Sequence, residues 1–181
     1  MADNKTEKNV KSEVRKWIID IVIIAVLAVV IRGFVFTTVK VKGPSMEPNY
    51  KHGQIVVAEK ISMFFSGPKQ GDVVACTYGS NDGELIIKRV IGMPGDVIDI
   101  FDNGSELELE INGNTIDEDY IKEGMQQPGD IEYPYTVPEG CYFVMGDNRN
   151  LSTDSRFTNI GAIAKDEIKG KVIFKIWPLG S

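Results

Sequence analysis

The sequence predicts a mainly β protein in which a single N-terminal transmembrane helix precedes an antiparallel β-sheet domain. The helix is predicted from residues 17–36, an apolar stretch that only Asp20 and Arg32 interrupt with charge. The sheet is predicted from short runs of Val and Ile that Gly, Pro, Asn and Asp separate. No long amphipathic helical pattern follows residue 36, so strands must build the core of the second part.

Residues 1–16 form a polar leader with five basic and three acidic side chains. They show no apolar periodicity, so we predict a leader without regular structure. Its net positive charge predicts a cytoplasmic N-terminus by the positive-inside rule. Residues 37–181 would then form an extracytoplasmic domain.

The apolar stretch admits three interpretations, because its unbroken centre, Ile21–Ile31, has only 11 residues. A membrane span, a buried helix and the core of a signal peptide are all compatible with that length. Trp17 with two basic neighbours at one end, and Asp20 and Arg32 near the two ends, favour a span. A cleaved signal peptide would have small residues in an Ala-x-Ala-like arrangement after its core, whereas Arg32-Gly33-Phe34-Val35-Phe36 is mostly bulky. An uncleaved membrane anchor is therefore the preferred interpretation.

Strand-like runs follow one another from about residue 35. Leu107, Leu109 and Ile111 alternate with glutamates, which predicts a strand with one buried face and one solvated face. Asn112-Gly113 predicts a hairpin turn after this strand, because both central positions of a type I′ turn need positive φ. The other predicted strands lie at residues 55–58, 72–76, 85–91, 97–100, 141–145 and 171–177.

Two segments between the strands are less regular. Residues 96–139 hold thirteen acidic side chains and only Lys122 as a base, without the ordered ligand spacing of a calcium loop. We predict a solvated insertion at about residues 116–136. Residues 61–65 form an apolar group, including Met63-Phe64-Phe65, in a predicted loop. These side chains either join the core or, if exposed, contact lipid beside the anchor.

Composition limits the classes of function. The length of 181 residues predicts one domain with a short appendage. The net charge of −6 argues against a nucleic-acid partner, because phosphate binding needs a basic face. Two cysteines, Cys76 and Cys141, are too few for a disulfide scaffold. Their apolar surroundings favour buried thiols, although one disulfide stays open for a domain outside the cell.

The Gly/Pro-rich segment 43–48 carries the first candidate catalytic side chain. One glycine and two prolines bend the backbone and hold the Ser45 hydroxyl on a turn. Most such segments are ordinary turns, so Ser45 is a nucleophile only if the chain also supplies a base. Histidine is the usual base, but the only histidine, His52, lies in a hydrophilic turn that predicts a surface position.

Lys88 is the candidate base, because it lies inside the apolar strand pattern of residues 85–91. Strand alternation predicts that Ile86, Lys88 and Val90 share one face while Arg89 lies on the other. Apolar neighbours desolvate an ammonium and lower its pKa from about 10.4 toward neutrality, where a lysine can act as a general base. An exposed lysine on a sheet is the alternative, and the residues by themselves weigh the two evenly.

Four motifs follow one another along the chain: Gly43-Pro44-Ser45-Met46-Glu47-Pro48, Gly71-Asp72-Val73-Val74, Ile87-Lys88-Arg89-Val90-Ile91-Gly92-Met93-Pro94-Gly95-Asp96 and Gly146-Asp147-Asn148-Arg149-x-x-Ser152-x-Asp154-Ser155-Arg156. In this order they resemble the successive motif boxes of bacterial type I signal peptidases, and the short chain resembles the Gram-positive forms. The match runs from the apolar stretch to Gly170-Lys171 and so covers nearly the whole sequence.

The resemblance implies a membrane-anchored serine endopeptidase that removes signal peptides from exported preproteins at the outer face of the bacterial cytoplasmic membrane. It also implies the antiparallel β architecture that this family shares with LexA-like proteases. Ser45 matches the nucleophile, Lys88 the general base and Ser152 the hydroxyl that orients the lysine. The other matched residues form supporting ion pairs, Asp147 with Arg89 and Asp154 with Arg156.

The resemblance further implies which partners to expect. Substrates would carry small residues, typically alanine, one and three positions before the cut, which is an Ala-x-Ala site. Membrane lipid would surround the anchor, and no cofactor, metal or nucleic acid is expected. Gly43 occupies the position at which some family members carry a serine that donates to the oxyanion. The second donor beside the Ser45 N–H is therefore unassigned.

Three alternatives belong to other classes. Self-cleaving LexA-like repressors use the same Ser–Lys pair, but they have a DNA-binding domain where this chain has its apolar stretch. Eukaryotic and archaeal signal peptidases use histidine in place of the lysine, and Lys88-Arg89 argues against them. A non-catalytic, membrane-anchored β domain that binds exported chains is the alternative function.

Overall fold

A computed structural model describes residues 3–79 and 84–177 of the chain. The chain divides into two compact units, Met1–Phe36 and Thr37–Ser181. The last four residues of the predicted β domain, 178–181, and the first two of the leader lie outside the described residues.

The first unit is helical. Helix α1 spans Asp3–Val30, and a π-helical turn at Ile31–Val35 follows it. The segment Glu13–Val35 is long and apolar enough to cross a membrane, by length and composition alone. The prediction of a leader without regular structure was wrong for residues 3–16. That segment contains several Lys and Glu residues, which favour helix, and no Gly or Pro that would interrupt the helical hydrogen bonds.

The second unit contains two antiparallel sheets, which confirms the predicted mainly β class. The larger sheet has seven strands in the order β1-β2-β11-β3-β4-β9-β10, and the smaller has four in the order β7-β6-β5-β8. The pairings of β2 with β11, β11 with β3, β3 with β4 and β4 with β9 are all antiparallel. The strands are β1 (Phe36–Lys40), β2 (Ile55–Glu59), β3 (Val73–Thr77), β4 (Leu85–Gly92), β5 (Val97–Asp102), β6 (Leu107–Ile111), β7 (Asn114–Thr115), β8 (Tyr135–Thr136), β9 (Cys141–Met145), β10 (Ile163–Ala164) and β11 (Ile168–Trp177). The short helices are α2 (Ile61–Phe65) and 3₁₀ turns at Arg149–Leu151 and Lys165–Glu167.

Strand β4 divides its side chains between different core clusters, as the alternation predicted. Ile87 packs in a cluster that also contains Met46, Val56 and Val73. Val90 packs on the other face in a second cluster, and Ile86 packs against that cluster. We call this second group the lysine-side cluster; its buried members are Val74, Cys76, Val90, Tyr142, Val144, Ile163 and Ile168. Both cysteines are free thiols, so the disulfide alternative is not realised.

The predicted hairpin turn is confirmed. Asn112 and Gly113 join β6 to β7 with φ values of 53° and 76°. Both positive values belong to the left-handed region that a type I′ turn requires. Leu109 and Ile111 are buried, as the alternation in this strand predicted.

Two segments differ from their predictions. Residues 61–65 form the short helix α2 rather than a loop. Of the two alternatives left open for their side chains, exposure holds for Phe64 and Phe65, at 75% and 85%, whereas Met63 packs against the lysine-side cluster. The acidic segment 116–136 is not a freely solvated insertion. Met125 is buried, and several of its tyrosines and isoleucines pack against the cluster that joins the two sheets. The prediction was wrong because acidic side chains conceal an apolar framework at irregular spacing, which no helix or strand period reveals.

Candidate active site

The Ser45 segment is a tight turn that is anchored to the core by the residue after Ser45. Met46 is 1% exposed and packs with residues of β1 and β2, while Ser45 is half-buried. The Glu47 N–H donates to the Pro44 carbonyl at 3.0 Å, and the Tyr50 N–H donates to the Met46 carbonyl at 2.8 Å. A buried methionine beside an accessible serine therefore fixes which way the turn faces.

His52 lies at the surface, as the sequence predicted. Its Nδ1 accepts a hydrogen bond from the Gly43 N–H at 3.0 Å. Gly43 has a φ of +74°, a conformation that favours glycine. The imidazole thus supports the backbone just before Ser45, and this contact occupies both the ring nitrogen and the Gly43 N–H.

Lys88 is 3% exposed on the face of β4 that looks onto the lysine-side cluster. It lies opposite Val74 of β3, and its Nζ donates to Ser152 Oγ at 2.9 Å. Within the part of the chain that the structure describes, its ammonium forms no ion pair. Burial lowers the pKa of Lys88, and the nearby Asp154 carboxylate only partly opposes that effect. This is a lysine whose surroundings favour the neutral amine.

Cys76 lies beside Lys88 in the same cluster, one residue pair along the sheet face. Burial raises the pKa of its thiol to about 12. Near neutral pH the side chain is therefore an uncharged apolar neighbour. It contributes to the desolvation of Lys88 and does not act as a counter-ion.

Ser45 and Lys88 line the same cleft, which has a volume of about 270 Å³. Apolar side chains from three parts of the chain, Tyr78, Ile86 and Leu151, contribute to its walls. A hydroxyl and a desolvated amine that line one cleft can act together, as nucleophile and base, on a bound carbonyl group.

The turn at residues 146–156 holds the rest of the site. The Asn148 N–H donates to the Ser45 carbonyl at 2.9 Å, and its Nδ2 donates to the Pro44 carbonyl at 3.3 Å. Gly146 has no room for a side chain, because a Cβ there would overlap the Ser152 side chain and the Ser45 carbonyl. The segments that carry Ser45 and Ser152 are therefore in direct contact.

Two ion pairs support this turn. Arg89 reaches Asp147 through two hydrogen bonds, from Nε at 2.8 Å and from Nη2 at 2.7 Å. Arg156 makes the corresponding pair with Asp154, at 2.8 and 2.9 Å. Burial alone would raise the pKa of Asp154, but the hydrogen bonds and charge of Arg156 hold it below its usual value. The Gly146 N–H also donates to Asp154 at 3.0 Å, so this carboxylate joins both ends of the turn.

The structure brings together every sequence-predicted site residue, and it adds others. Asn148 joins the 146–156 turn to the Ser45 segment, and its place in the Gly146–Arg156 motif was the only sequence signal for this contact. Asn49 donates to the Tyr120 carbonyl at 2.6 Å and to Asp147 at 2.9 Å. The ring of Tyr120 lies 4.2 Å from the Arg89 guanidinium. No sequence pattern singled out Asn49 or Tyr120, because their contacts join positions 71 and 98 residues apart.

The sequence is similar to known proteins over nearly its whole length. The chain matches the family model described as signal peptidase, peptidase S26, over residues 14–177. It is 36% identical over 178 residues to a signal peptidase I of Bacillus licheniformis, a match that covers 94% of this chain and 92% of the relative. It is 34% identical over 183 residues to signal peptidase IB of Staphylococcus aureus, with 93% and 92% coverage. A crystal structure of a signal peptidase I from Enterococcus faecalis matches with a TM-score of 0.47 and 32% identity, covering 59% of this chain and 97% of that one.

Proposed function

The chain belongs to the signal peptidase family, peptidase S26, and on that premise we propose that it removes N-terminal signal peptides from exported preproteins by Ser–Lys catalysis. It is a hydrolase of the serine peptidase class. The observation that carries the assignment of Ser45 and Lys88 is the buried lysine itself. Lys88 is 3% exposed, donates to a neutral hydroxyl and lines a cleft with Ser45. A purely structural lysine would be solvated or paired with a carboxylate.

In the proposed mechanism, neutral Lys88 takes the proton from Ser45 as the serine oxygen attacks the scissile carbonyl. The tetrahedral intermediate collapses to an acyl-enzyme, and the protonated lysine gives its proton to the leaving amine. Lys88 then takes a proton from the water that attacks the ester, and it returns this proton to the Ser45 oxygen as the carboxylic acid product leaves. The Ser45 N–H is one donor to the oxyanion; Gly43 offers no side-chain hydroxyl as a second.

Ser152 and the two ion pairs have positioning roles in this proposal. The Ser152 hydroxyl fixes the direction of the Lys88 amine, because the two atoms are 2.9 Å apart. Asp154 and Arg156 hold the ends of the turn that carries Ser152. Arg89 and Asp147 hold its start. The proposed substrates carry small residues one and three positions before the cut, in an Ala-x-Ala site that enters the cleft beside Ser45.

We propose a bacterial cytoplasmic-membrane location with residues 1–16 in the cytoplasm, residues 17–36 as the anchor and residues 37–181 outside. The charge of the leader supports this topology, because basic side chains favour the cytoplasmic side. Lipid would then surround the apolar part of α1, whose described side chains from Trp17 to Val30 are exposed.

Helix α2 is a proposed second contact with lipid. Phe64 and Phe65 extend from a helix with no buried residue, and Lys60, Lys165 and Lys169 line the adjacent groove. Exposed aromatic rings flanked by lysines suit the interface of a bilayer with anionic headgroups.

A Phe65→Trp variant in a Trp17→Phe/Trp177→Phe background should lose fluorescence when the full chain is reconstituted with acyl-brominated lipids. Fluorescence equal to that in unbrominated lipids would show that α2 stays in water.

The direct test of function uses the full chain in detergent with a preprotein that contains an Ala-x-Ala site. The native protein should cut at that site, and the Ser45→Ala and Lys88→Ala variants should not. The exposed Lys51→Ala serves as the matched lysine control and should retain activity. Equal cleavage by Lys88→Ala would assign the base elsewhere. No cleavage of several preproteins by the folded native chain would favour the alternative, a membrane-anchored β domain that binds exported chains.

A further inference from the structure

The acidic segment 117–130 lies against the turn that carries Ser152. The Lys122 N–H donates to the Asp147 carbonyl at 3.1 Å, and the Gln126 N–H donates to Asn150 Oδ1 at 2.9 Å. The Asp130 N–H donates to the Arg156 carbonyl at 3.0 Å. These bonds involve backbone at both ends of the turn. The segment therefore holds the turn through contacts separate from those that the turn makes with Ser45.

Glu118 makes the strongest of these contacts. Its two carboxylate oxygens accept hydrogen bonds from Nη1 and Nη2 of Arg149, each at 2.6 Å. The side chain of Arg149 is 1% exposed and that of Glu118 is 9% exposed. A planar, two-bond pair between buried groups restricts both the position and the orientation of the arginine.

Arg149 connects this ion pair to the turn at residues 146–156, which carries Ser152. Its Nε donates to the Gly146 carbonyl at 3.0 Å, and its own carbonyl accepts from Arg156 at 2.7 Å. Arg149 also begins the 3₁₀ turn that ends just before Ser152. Gly146 is in turn packed directly against Ser152 and Ser45, so a continuous set of contacts joins Arg149 to the Ser152 hydroxyl.

We propose that Glu118 is a positioning residue for catalysis, which holds Arg149 and through it the Ser152 hydroxyl that orients Lys88. The proposal rests on the proposed Ser–Lys function and goes beyond it, because it assigns a role to the acidic insertion. Tyr120 extends the same support, since its hydroxyl donates to Glu118 at 2.6 Å and its ring lies on Arg89. Loss of the Glu118 charge would leave a buried guanidinium unpaired, and Arg149 would move toward water.

The test compares Glu118→Gln with Asp119→Asn in the full-length protein. Both variants remove one negative charge from adjacent positions, but Asp119 is exposed. With an internally quenched peptide that contains an Ala-x-Ala site, Glu118→Gln should lower kcat about 10- to 100-fold and leave KM within about twofold, because a displaced catalytic group slows the reaction without changing substrate contacts. Asp119→Asn should match the native enzyme. Glu118→Asp, which keeps the charge with a shorter reach, should recover part of kcat.

Hydrogen exchange provides a readout that does not depend on cleavage. In Glu118→Gln the amides of residues 146–156 should exchange faster than in the native chain, while those of β2 and β3 should be unchanged. Native kcat together with native exchange would overturn the proposal. A raised KM with unchanged kcat would assign the insertion to substrate binding instead. If the native enzyme cleaves no peptide, the proposed function fails, whereas the exchange result still decides whether Glu118 holds the turn.

Discussion

Two neighbouring basic residues lie on opposite faces of strand β4, and they differ in burial and charge pairing. Lys88 lies on the face of the apolar lysine-side cluster, donates to the neutral hydroxyl of Ser152, and has its pKa lowered by burial. Arg89, one residue later, donates twice to the fully buried Asp147 and once to the Gly71 carbonyl at 2.9 Å. Burial alone would lower the pKa of Arg89, but the hydrogen bonds and charge of Asp147 raise it. One strand thus presents a desolvated amine on one face and a permanent cation on the other.

The difference shows that burial and pairing have to be considered together. A buried cation with a carboxylate partner stabilises a fixed charge, and a buried cation without one favours its neutral form. Only the unpaired cation gives up its proton more readily than a lysine in water, so only it is suited to serve as a base. The proposal that Lys88 is the base and Arg89 a support follows from this contrast, and three measurements can break or sharpen it.

The largest expected effect is on activity. Lys88→Met keeps the length and packing of the side chain but removes the amine, and should lower kcat/KM by at least about 10³-fold. Arg89→Met should retain more activity, because Arg89 supports the site through its contacts with Asp147, Gly71 and Tyr120 and not through proton transfer. Cleavage of an Ala-x-Ala peptide by the two variants, measured side by side, gives the comparison. Similar losses in both would mean that the two faces do not differ in chemical role.

The second effect is on stability, and its sign should differ between the same two variants. Arg89→Met leaves Asp147 buried without a cation and should lower the free energy of unfolding by about 3 kcal/mol. Lys88→Met removes a group whose charged form the fold disfavours and should raise it by about 0.5–2 kcal/mol near pH 7.

The pH dependence of the stability effect provides its control. The folded-state pKa of Lys88 lies below the unfolded value of about 10.4, so the protonated amine destabilises the fold at low pH. This penalty is complete below the folded-state pKa and disappears as pH rises past the unfolded value. The advantage of Lys88→Met in denaturant titrations should therefore vanish at high pH. A Lys88→Met variant that is less stable than the native chain at neutral pH would contradict a desolvated lysine.

The smallest effect is a shift in the pH profile. Because the neutral amine is the active form, kcat/KM should rise with pH along a limb whose midpoint lies below the ordinary lysine pKa. The charge of Asp154 raises the Lys88 pKa, so Asp154→Asn should move that midpoint to lower pH in whatever activity remains. The exposed Glu139→Gln should leave it in place. A limb centred at or above about 10.4 would show that Lys88 is not desolvated in the working enzyme.

Local patterns were sufficient to predict much of the molecule. The alternation of β4, the hairpin at Asn112-Gly113 and the turn around Ser45 depend on residues close together in the chain, so the sequence displays them directly. The same local approach failed for residues 3–16 and 61–65, where helix forms without a clear apolar period. It also failed for the acidic insertion, whose contacts with the 146–156 turn span 24 residues, between Gln126 and Asn150, to 31 residues, between Glu118 and Arg149.

The sequence by itself therefore determined the apolar helix, the strands and the identity of the residues that resemble a Ser–Lys site, because each is written in short-range spacing or in an ordered set of motifs. The tertiary structure decided which of those residues are desolvated and which are paired. Lys88 loses water because Val74 and Cys76 arrive from β3 and Ser152 arrives from a turn 64 residues away. Glu118 acquires its partner only when the insertion packs against Arg149. Solvation and charge pairing are properties of the surroundings of a side chain, and those surroundings exist only once distant segments have come together.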